Sequence, residues 1–210
     1  MSVFPPLYPV LNDFIQGLLP PCPDQEREEV LLQIATWIKM KQTLGQVANL
    51  VFICTHNSRR SHLAQVWMAT LLAYYQQDSI KTFSGGTEAT AFYPEAVATL
   101  GRSGFRVASS EGNNTRFLLH YADTASPLIC FSKVYDDPSN PAKDFAAVMV
   151  CSDADENCPF IPGAAARFSL PYKDPKIADF TPDVSSVYDE RSREIATEMH
   201  FILQNCLKHD

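Results

Sequence analysis

The sequence predicts an α/β fold with an open, mainly parallel sheet flanked by helices and preceded by a helical N-terminal extension. From residue 49 onward, short apolar runs alternate with segments of helical periodicity. Polar loops follow the apolar runs, and the first 46 residues contain no strand pattern. Alternating strands and helices are typical of βαβ units and therefore of a parallel sheet. We accordingly divide the chain into an extension, 1–46, and a main domain, 47–210.

Composition narrows the class of protein. The chain has 210 residues, of which 46% are hydrophobic, and this is enough for one sizeable core. A net charge of −7 argues against a nucleic-acid partner. No apolar run approaches the length of a membrane span, and the first ten residues lack the pattern of a secretory signal. We therefore expect a cytoplasmic protein with no membrane partner, whose six cysteines are mostly reduced thiols.

The extension has two predicted helices. Dense proline before residue 24 leaves room only for a short helix at about 10–19. Asp24 is a suitable N-cap for a second helix, with apolar residues at Leu31, Ile34 and Ile38 and a stop at Gly45.

In the main domain, hydrophobic patterning predicts each element in turn. The predicted strands are 49–53, 80–83, 128–131, 146–151 and 167–170. The predicted helices are 60–77, 94–103 and 184–207. The polar segment 132–145 is expected to be a long loop.

The stretch "CTHNSRRS", 54–61, lies between the first strand and its helix. Open α/β sheets bind ligands at the carboxyl ends of their strands, and a helix N-terminus offers unpaired N–H groups and positive potential. The loop therefore predicts an oxyanion site, with Arg60 closing over the anion through two hydrogen bonds. The oxyanion-binding residues would be Thr55, His56, Asn57, Ser58, Arg59, Arg60 and Ser61.

The same positive field favours the thiolate form of Cys54, which makes this residue a candidate nucleophile. Ser61 is positioned in the sequence to donate a hydrogen bond to that thiolate. The alternative interpretation is an inert, buried Cys54 followed by two surface arginines.

Two later motifs supply further candidates. Asp174, in "KDP", is a candidate general acid, although Asp-Pro on its own is a common turn dipeptide. Cys151 ends a predicted strand at the same sheet edge as Cys54, and Cys158 follows in "CSDADENCP". That spacing fits neither a CxxC redox motif nor a zinc site, so we expect no metal and no cofactor. Two unrelated cysteines, one buried and one in a loop, remain the alternative.

Together these motifs resemble one family. "VFICTHNSRRS" is similar to the C-x-G-N-x-C-R-S loop of low-molecular-weight protein tyrosine phosphatases and thioredoxin-coupled arsenate reductases. "SGGTEA" and "DP" match further segments of both groups, whereas "VCSDADENCP" resembles a redox segment of the reductases alone. The resemblance covers about 48–207, with an insertion near 118–145. His56 replaces the family's Gly, Arg59 its second cysteine, and Lys176 an aromatic residue of the phosphatases.

The resemblance implies an arsenate reductase. Cys54 would attack the small oxyanion while Asp174 protonates the departing oxygen. Cys151 would then attack the Cys54–arsenic adduct, and Cys158 would move the disulfide to Cys151–Cys158, where a thioredoxin-type reductant reaches it. The polar segment 151–160 would have to move.

Two alternatives stay open. A phosphatase needs only Cys54, Arg60 and Asp174, and a non-enzymatic regulator would use Cys151 and Cys158 as a redox sensor. Among the other residues, Cys22, Cys130 and Cys206 are expected to be bystanders, His62 a surface residue, and Trp67 and Met68 part of the core.

Overall fold

The structure is a computed structural model that describes residues 4–21, 23–110, 114–158 and 160–208. The helices are α1 (Pro9–Gln16), α2 (Gln25–Thr43), α3 (Arg60–Tyr74), α4 (Pro94–Arg102), α5 (Ser152–Asn157) and α6 (Val184–Cys206), with a 3-10 turn at Pro175–Ala178. The strands are β1 (Ala48–Cys54), β2 (Ile80–Gly86), β3 (Arg106–Ser109), β4 (Phe117–His120), β5 (Leu128–Cys130), β6 (Phe145–Met149) and β7 (Ala164–Ser169).

The main sheet has the order β2-β1-β6-β7, and all of its pairs are parallel. Strand β6 is buried along its whole length and β1 at every position but Asn49, as expected for strands covered on both faces. Cys54 and Met149 therefore reach the same carboxyl edge of the sheet. The predicted fold class is confirmed.

A second, antiparallel sheet has the order β3-β4-β5. The prediction of a strand at 128–131 is confirmed, but its expected place among βαβ units is wrong. Residues 121–127 are too few for the crossover of about a dozen residues that a parallel pair requires, so β5 pairs antiparallel with β4. Strands β3 and β4 were not predicted, since all four residues of β3 are exposed and carry no alternating apolar pattern.

The N-terminal helices share the core of the sheet. Leu11, Leu31 and Ile38 are fully buried in the same hydrophobic cluster as the residues of β1. Asp24 caps α2 as predicted, accepting a hydrogen bond from the Arg27 N–H at 2.9 Å. The division of the chain into an extension, 1–46, and a main domain, 47–210, stays a prediction.

Several smaller predictions can be compared directly with the structure. Trp67, Met68, Cys130 and Cys206 are buried, whereas Cys22 lies outside the described residues.

Strand β2 extends further than predicted, to Gly86, where an added Cβ atom would lie 2.6 Å from the Thr55 carbonyl oxygen. Only glycine allows this close approach of β2 to the loop after β1. Among the described helices, none has both the length and the apolar character needed to cross a bilayer.

Candidate active site

Four backbone carbonyl groups of the loop 54–61 point outward to neighbouring segments. The carbonyl oxygens of Cys54 and Thr55 accept hydrogen bonds from the N–H groups of Thr87 and Glu88, at 3.1 and 2.9 Å. Hydrogen bonds from neighbouring segments also reach the carbonyls of two further loop residues: the His56 oxygen accepts from Ser132 Oγ at 2.8 Å, and the Ser58 oxygen from Tyr93 N at 3.0 Å.

These carbonyl bonds determine where the loop's N–H groups point. In a trans peptide the N–H lies opposite the preceding C=O, and no described peptide bond is cis. The N–H groups of Thr55, His56, Asn57 and Arg59 therefore turn toward the centre of the loop. Helix α3 begins there without a side-chain cap, so its first N–H groups add to the same site. The result is a cradle suited to an oxyanion.

A chain of hydrogen bonds runs through the loop to the thiol of Cys54. Asn57 Oδ1 accepts from the backbone N–H of Lys133 at 2.9 Å, which directs its amide group toward Ser61. Asn57 Nδ2 then donates to Ser61 Oγ at 2.9 Å, and Ser61 Oγ lies 3.0 Å from Cys54 Sγ. Because Ser61 Oγ accepts from Asn57, its own hydrogen is available to donate to the sulfur. The sulfur of Cys54, which is 4% exposed, therefore has a hydroxyl donor beside it.

Asn57, rather than His56, has the unusual backbone. Its φ is 44°, in the left-handed region that asparagine tolerates better than most residues. His56 is absent from the described residues with positive φ, and its side chain is half exposed, 3.7 Å from Glu88. The replacement of the family's Gly by His56 is thus accommodated without backbone strain.

Arg60 and Asp174 meet at the mouth of the cradle although they are far apart in sequence. Arg60 Nη2 donates to Asp174 Oδ2 at 2.5 Å, and Nη1 donates to the Tyr172 carbonyl at 3.0 Å. Asp174 also caps the 3-10 turn by accepting from Lys176 N at 3.0 Å. The carboxyl group is part exposed, so it borders both the cradle and solvent. This is a suitable place for a general acid.

Arg59 points away from the cradle into a separate network. Its Nε donates to the Tyr188 hydroxyl at 2.6 Å, its Nη2 to Asp179 at 2.7 Å, and its guanidinium stacks over Tyr93 at 3.8 Å. Tyr188 also donates to Asp179, and burial, together with the hydrogen bond to Asp179, raises the pKa of Tyr188. The residue that replaces the family's second cysteine thus ties the loop to the segment after Asp174 and to α6.

Cys151 lies beside the loop, as its position after β6 predicts. Its Sγ is 3.5 Å from Thr55 Oγ1 and accepts a hydrogen bond from Ala154 N at 3.4 Å, which caps α5. Cys151 is buried, and Cys158, at the C-cap of α5, is partly exposed. The structure therefore brings Cys54, Arg60, Asp174 and Cys151 to one edge of the sheet and places Cys158 one short helix away.

The prediction of a surface position for His62 is wrong. His62 is fully buried, stacks on Phe92 with ring centroids 4.0 Å apart, and has Nδ1 3.3 Å from Ser84 Oγ. Burial, helped by the charge of Lys133, lowers its pKa from 6.5 to about 3, so the imidazole is neutral. Helix α3 packs against β1, β2 and α6, which buries nearly all of its first turns.

Several residues of the site were not found from the sequence. Lys133, Asp179 and Tyr188 lie far from the loop along the chain and contact it through one or two hydrogen bonds each. No local pattern marks such residues. The only available signal was the resemblance of the loop itself, which includes Asn57.

No family model matches the chain. The chain is 28% identical over 127 residues to arsenate reductase 2 of Staphylococcus epidermidis, covering 60% of this chain and 77% of that protein. It is also 28% identical over 126 residues to an arsenate reductase of Staphylococcus aureus, with the same shares covered. The solved low-molecular-weight protein tyrosine phosphatase of T. tengcongensis aligns with 75% of this chain and 98% of its own, at 16% identity and a TM-score of 0.51.

The fold and the loop define the class: a parallel α/β protein with a cysteine at the floor of a loop whose backbone N–H groups turn inward. The resemblance predicted from the motifs is confirmed: the chain is similar to curated arsenate reductases and shares its fold with a low-molecular-weight protein tyrosine phosphatase.

Proposed function

We propose that this protein is an arsenate reductase that uses Cys54 as nucleophile and a disulfide relay through Cys151 and Cys158. The observation that carries the proposal is the position of Cys151, whose Sγ lies 3.5 Å from Thr55 Oγ1 in the cradle loop. Hydrolysis of a phosphoenzyme has no use for a second thiol there. The similarity to arsenate reductases supports the same activity.

The first step is substitution at arsenic. Arsenate binds to the inward N–H groups and to Arg60, and the thiolate of Cys54 forms a bond to arsenic. Asp174 gives its proton to the oxygen that leaves as water. Arsenic is still pentavalent in the adduct, and the anion's charge is balanced by the cradle and Arg60.

The second step is the reduction. The thiolate of Cys151 attacks Cys54 Sγ, the sulfur–arsenic bond breaks, and its electron pair leaves with arsenic as arsenite. Two sulfurs have then lost two electrons in total, and a Cys54–Cys151 disulfide holds the oxidising equivalents. Cys158 next attacks Cys151 Sγ, which releases Cys54 as a thiolate and forms Cys151–Cys158.

The relay requires α5 to unwind. Cys151 and Cys158 are the caps of a six-residue helix, and a rise of about 1.5 Å per residue separates their Cα atoms by roughly 10 Å. A disulfide needs Cα atoms within about 7 Å. The second exchange therefore cannot take place across an intact α5.

The substrate and the reductant follow from the mouth of the site. A cleft beside the loop is lined by His56, Arg59, Tyr93 and Lys176, and although Arg59 is paired with Asp179, Lys176 adds a positive charge that favours a small oxyanion. The reductant would be a thioredoxin-type dithiol in the cytoplasm, acting on the partly exposed Cys158. Neither a metal nor a cofactor enters any step.

Turnover assays test this function. Arsenate with thioredoxin, thioredoxin reductase and NADPH should give steady NADPH oxidation, and arsenate alone should give one Cys151–Cys158 disulfide per chain. Cys158→Ser should stop after one turnover as Cys54–Cys151, identified by non-reducing peptide mapping. Phosphatase activity without any arsenate-dependent disulfide at Cys151 would contradict the proposal.

That last outcome would favour the second candidate, a phosphatase. The cradle, Arg60 and Asp174 suffice for phosphomonoester hydrolysis, and the shared fold permits it. Turnover of p-nitrophenyl phosphate, measured beside arsenate, separates the two activities.

A further inference from the structure

Strand β7, the edge of the main sheet, faces α5. Arg167 pairs with Ala147 and Ser169 with Met149 of β6, the strand that leads into α5. Because Arg167 and Ser169 are two residues apart, their side chains lie on the same face of β7. That face meets the short helix between Cys151 and Cys158.

Asp155, in α5, contacts the side chains of both Arg167 and Ser169. Arg167 Nη2 lies 2.6 Å from Asp155 Oδ1, and Ser169 Oγ donates to Asp155 Oδ2 at 2.6 Å. Ser169 therefore holds one carboxylate oxygen through a hydrogen bond, and Arg167 contacts the other as an ion pair. The ion pair is mostly shielded from solvent, with the side chains of Arg167 and Asp155 28% and 21% exposed.

Arg167 also holds the end of the helix. Its Nη2 donates to the Asp155 carbonyl at 2.7 Å and to the Cys158 carbonyl at 3.3 Å. Carbonyl groups in the last turn of a helix have no partner within the helix, so a cationic donor there stabilises the helical form. Asp155, Arg167 and Ser169 thus fix the half of α5 that carries Cys158.

We propose that Asp155, Arg167 and Ser169 form a clamp that controls the second disulfide exchange. The proposal rests on the function proposed above. With the clamp closed, α5 stays helical and Cys158 is held away from Cys151. With the clamp open, α5 unwinds and the Cys158 thiolate attacks Cys151 Sγ, expelling Cys54 as a thiolate with no net change in oxidation state. All three are positioning residues, since none touches arsenic.

A local role fits the energetics better than a global one. A part-exposed ion pair contributes little to the stability of a whole domain. The same contacts contribute a large part of the free energy of local opening of the six-residue helix α5, because opening breaks them while the core stays intact. Loss of the clamp should therefore change the rate of disulfide formation much more than the melting temperature.

The first test needs no arsenate. In a Cys54→Ser background, oxidised glutathione converts the thiols of Cys151 and Cys158 to a disulfide and is itself reduced to two glutathione thiols. Asp155→Asn and Arg167→Lys should each accelerate this reaction about tenfold, as expected when a hydrogen-bonded charged contact is lost. Asp153→Asn is the matched control, because it removes the same charge from an exposed position of the same helix. It should accelerate the reaction by no more than about twofold, because only a favourable interaction with the helix N-terminus is lost.

The second test uses arsenate and the protein with all its cysteines. Quenched samples should show Cys54–Cys151 forming at the wild-type rate in Asp155→Asn, followed by faster appearance of Cys151–Cys158. A merely structural role would slow both steps or lower the melting temperature. Should Asp155→Asn fail to fold, Ser169→Ala removes a single hydrogen bond, and about threefold acceleration is expected.

The outcomes separate the two proposals. If arsenate forms no disulfide in the wild type, the proposed function fails, and the glutathione reaction still tests the clamp. If the clamp variants and Asp153→Asn are oxidised by glutathione at the same rate as the parent, the clamp is overturned, whatever arsenate does.

Discussion

The cradle loop, 54–61, and the relay segment, 151–158, begin alike and are held differently. Each starts with a cysteine at or just beyond the carboxyl end of a parallel strand and leads into a helix. The loop is tied on its outer side by hydrogen bonds to four carbonyls and continues into the 15-residue, largely buried α3. The relay segment forms a six-residue helix with exposed residues, held by its Cys151 cap and by Asp155.

This difference corresponds to two chemical requirements. A nucleophile and its anion cradle are effective when their geometry is fixed before the substrate arrives. A thiol that must first meet one cysteine and then another needs a segment that can rearrange. The first three predictions below test whether the loop and the relay segment serve separate steps, and the fourth concerns the buried helix that follows the loop.

The largest effect is expected from Cys151→Ser. Arsenate turnover should be lost completely, because arsenic can no longer pass its oxidising equivalents to a disulfide. Any hydrolysis of p-nitrophenyl phosphate should be nearly unchanged, since water completes that reaction. Cys54→Ser should abolish both activities and is the control. Equal loss of both activities in Cys151→Ser would mean that Cys151 supports the loop rather than the relay.

Asp174→Asn should lower turnover by roughly 10²–10⁴-fold, the usual contribution of a general acid. Asparagine keeps the shape of the side chain and can still contact Arg60, so phosphate should protect Cys54 from alkylation in the variant and in the wild type alike. The measurements are single-turnover disulfide formation with arsenate and alkylation with and without phosphate. Wild-type turnover would remove Asp174 from the mechanism.

Ser61→Ala should slow alkylation of Cys54 by iodoacetamide at pH 6 by about tenfold. The variant removes the hydroxyl 3.0 Å from the sulfur, and a hydrogen bond to a charged group contributes on that scale. Ser186→Ala, on the exposed side of α6, is the control. An unchanged rate would show that the inward N–H groups alone stabilise the thiolate.

The smallest effect concerns pH and His62. Its pKa is about 3 in the folded protein and near 6.5 when unfolded, so the unfolded chain binds the extra proton between these values. The free energy of unfolding therefore falls with decreasing pH, by up to about 1.4 kcal/mol per pH unit from this residue.

Urea denaturation between pH 7 and 4 measures this effect. His62→Gln should make the acid slope shallower, whereas His120→Gln, at a position that is not fully buried, should keep the wild-type slope. Identical slopes for all three proteins would show that another group controls acid unfolding.

Local patterns predicted the elements well because burial and helix capping are local properties. Asp24 caps α2, and the apolar run before Cys54 forms the buried strand β1. The errors concern contacts between distant segments. His62 was assigned to the surface because a single helix normally leaves one face to solvent, yet α3 is enclosed by the sheet and α6. The exposed strand β3 has no apolar pattern that could have predicted it.

The sequence by itself determined the parallel α/β fold, the cysteine at a strand end before a helix, and the candidate set of Cys54, Arg60, Asp174, Cys151 and Cys158. These features could be predicted because they depend on residue types at short spacing or on short motifs that resemble those of a known family. Only the tertiary structure decided how these residues are held: the hydrogen-bond chain from Lys133, the Arg59 network and the clamp on α5. Such contacts join residues that are distant along the chain, and their geometry is fixed only when the sheet brings its strand ends to one edge.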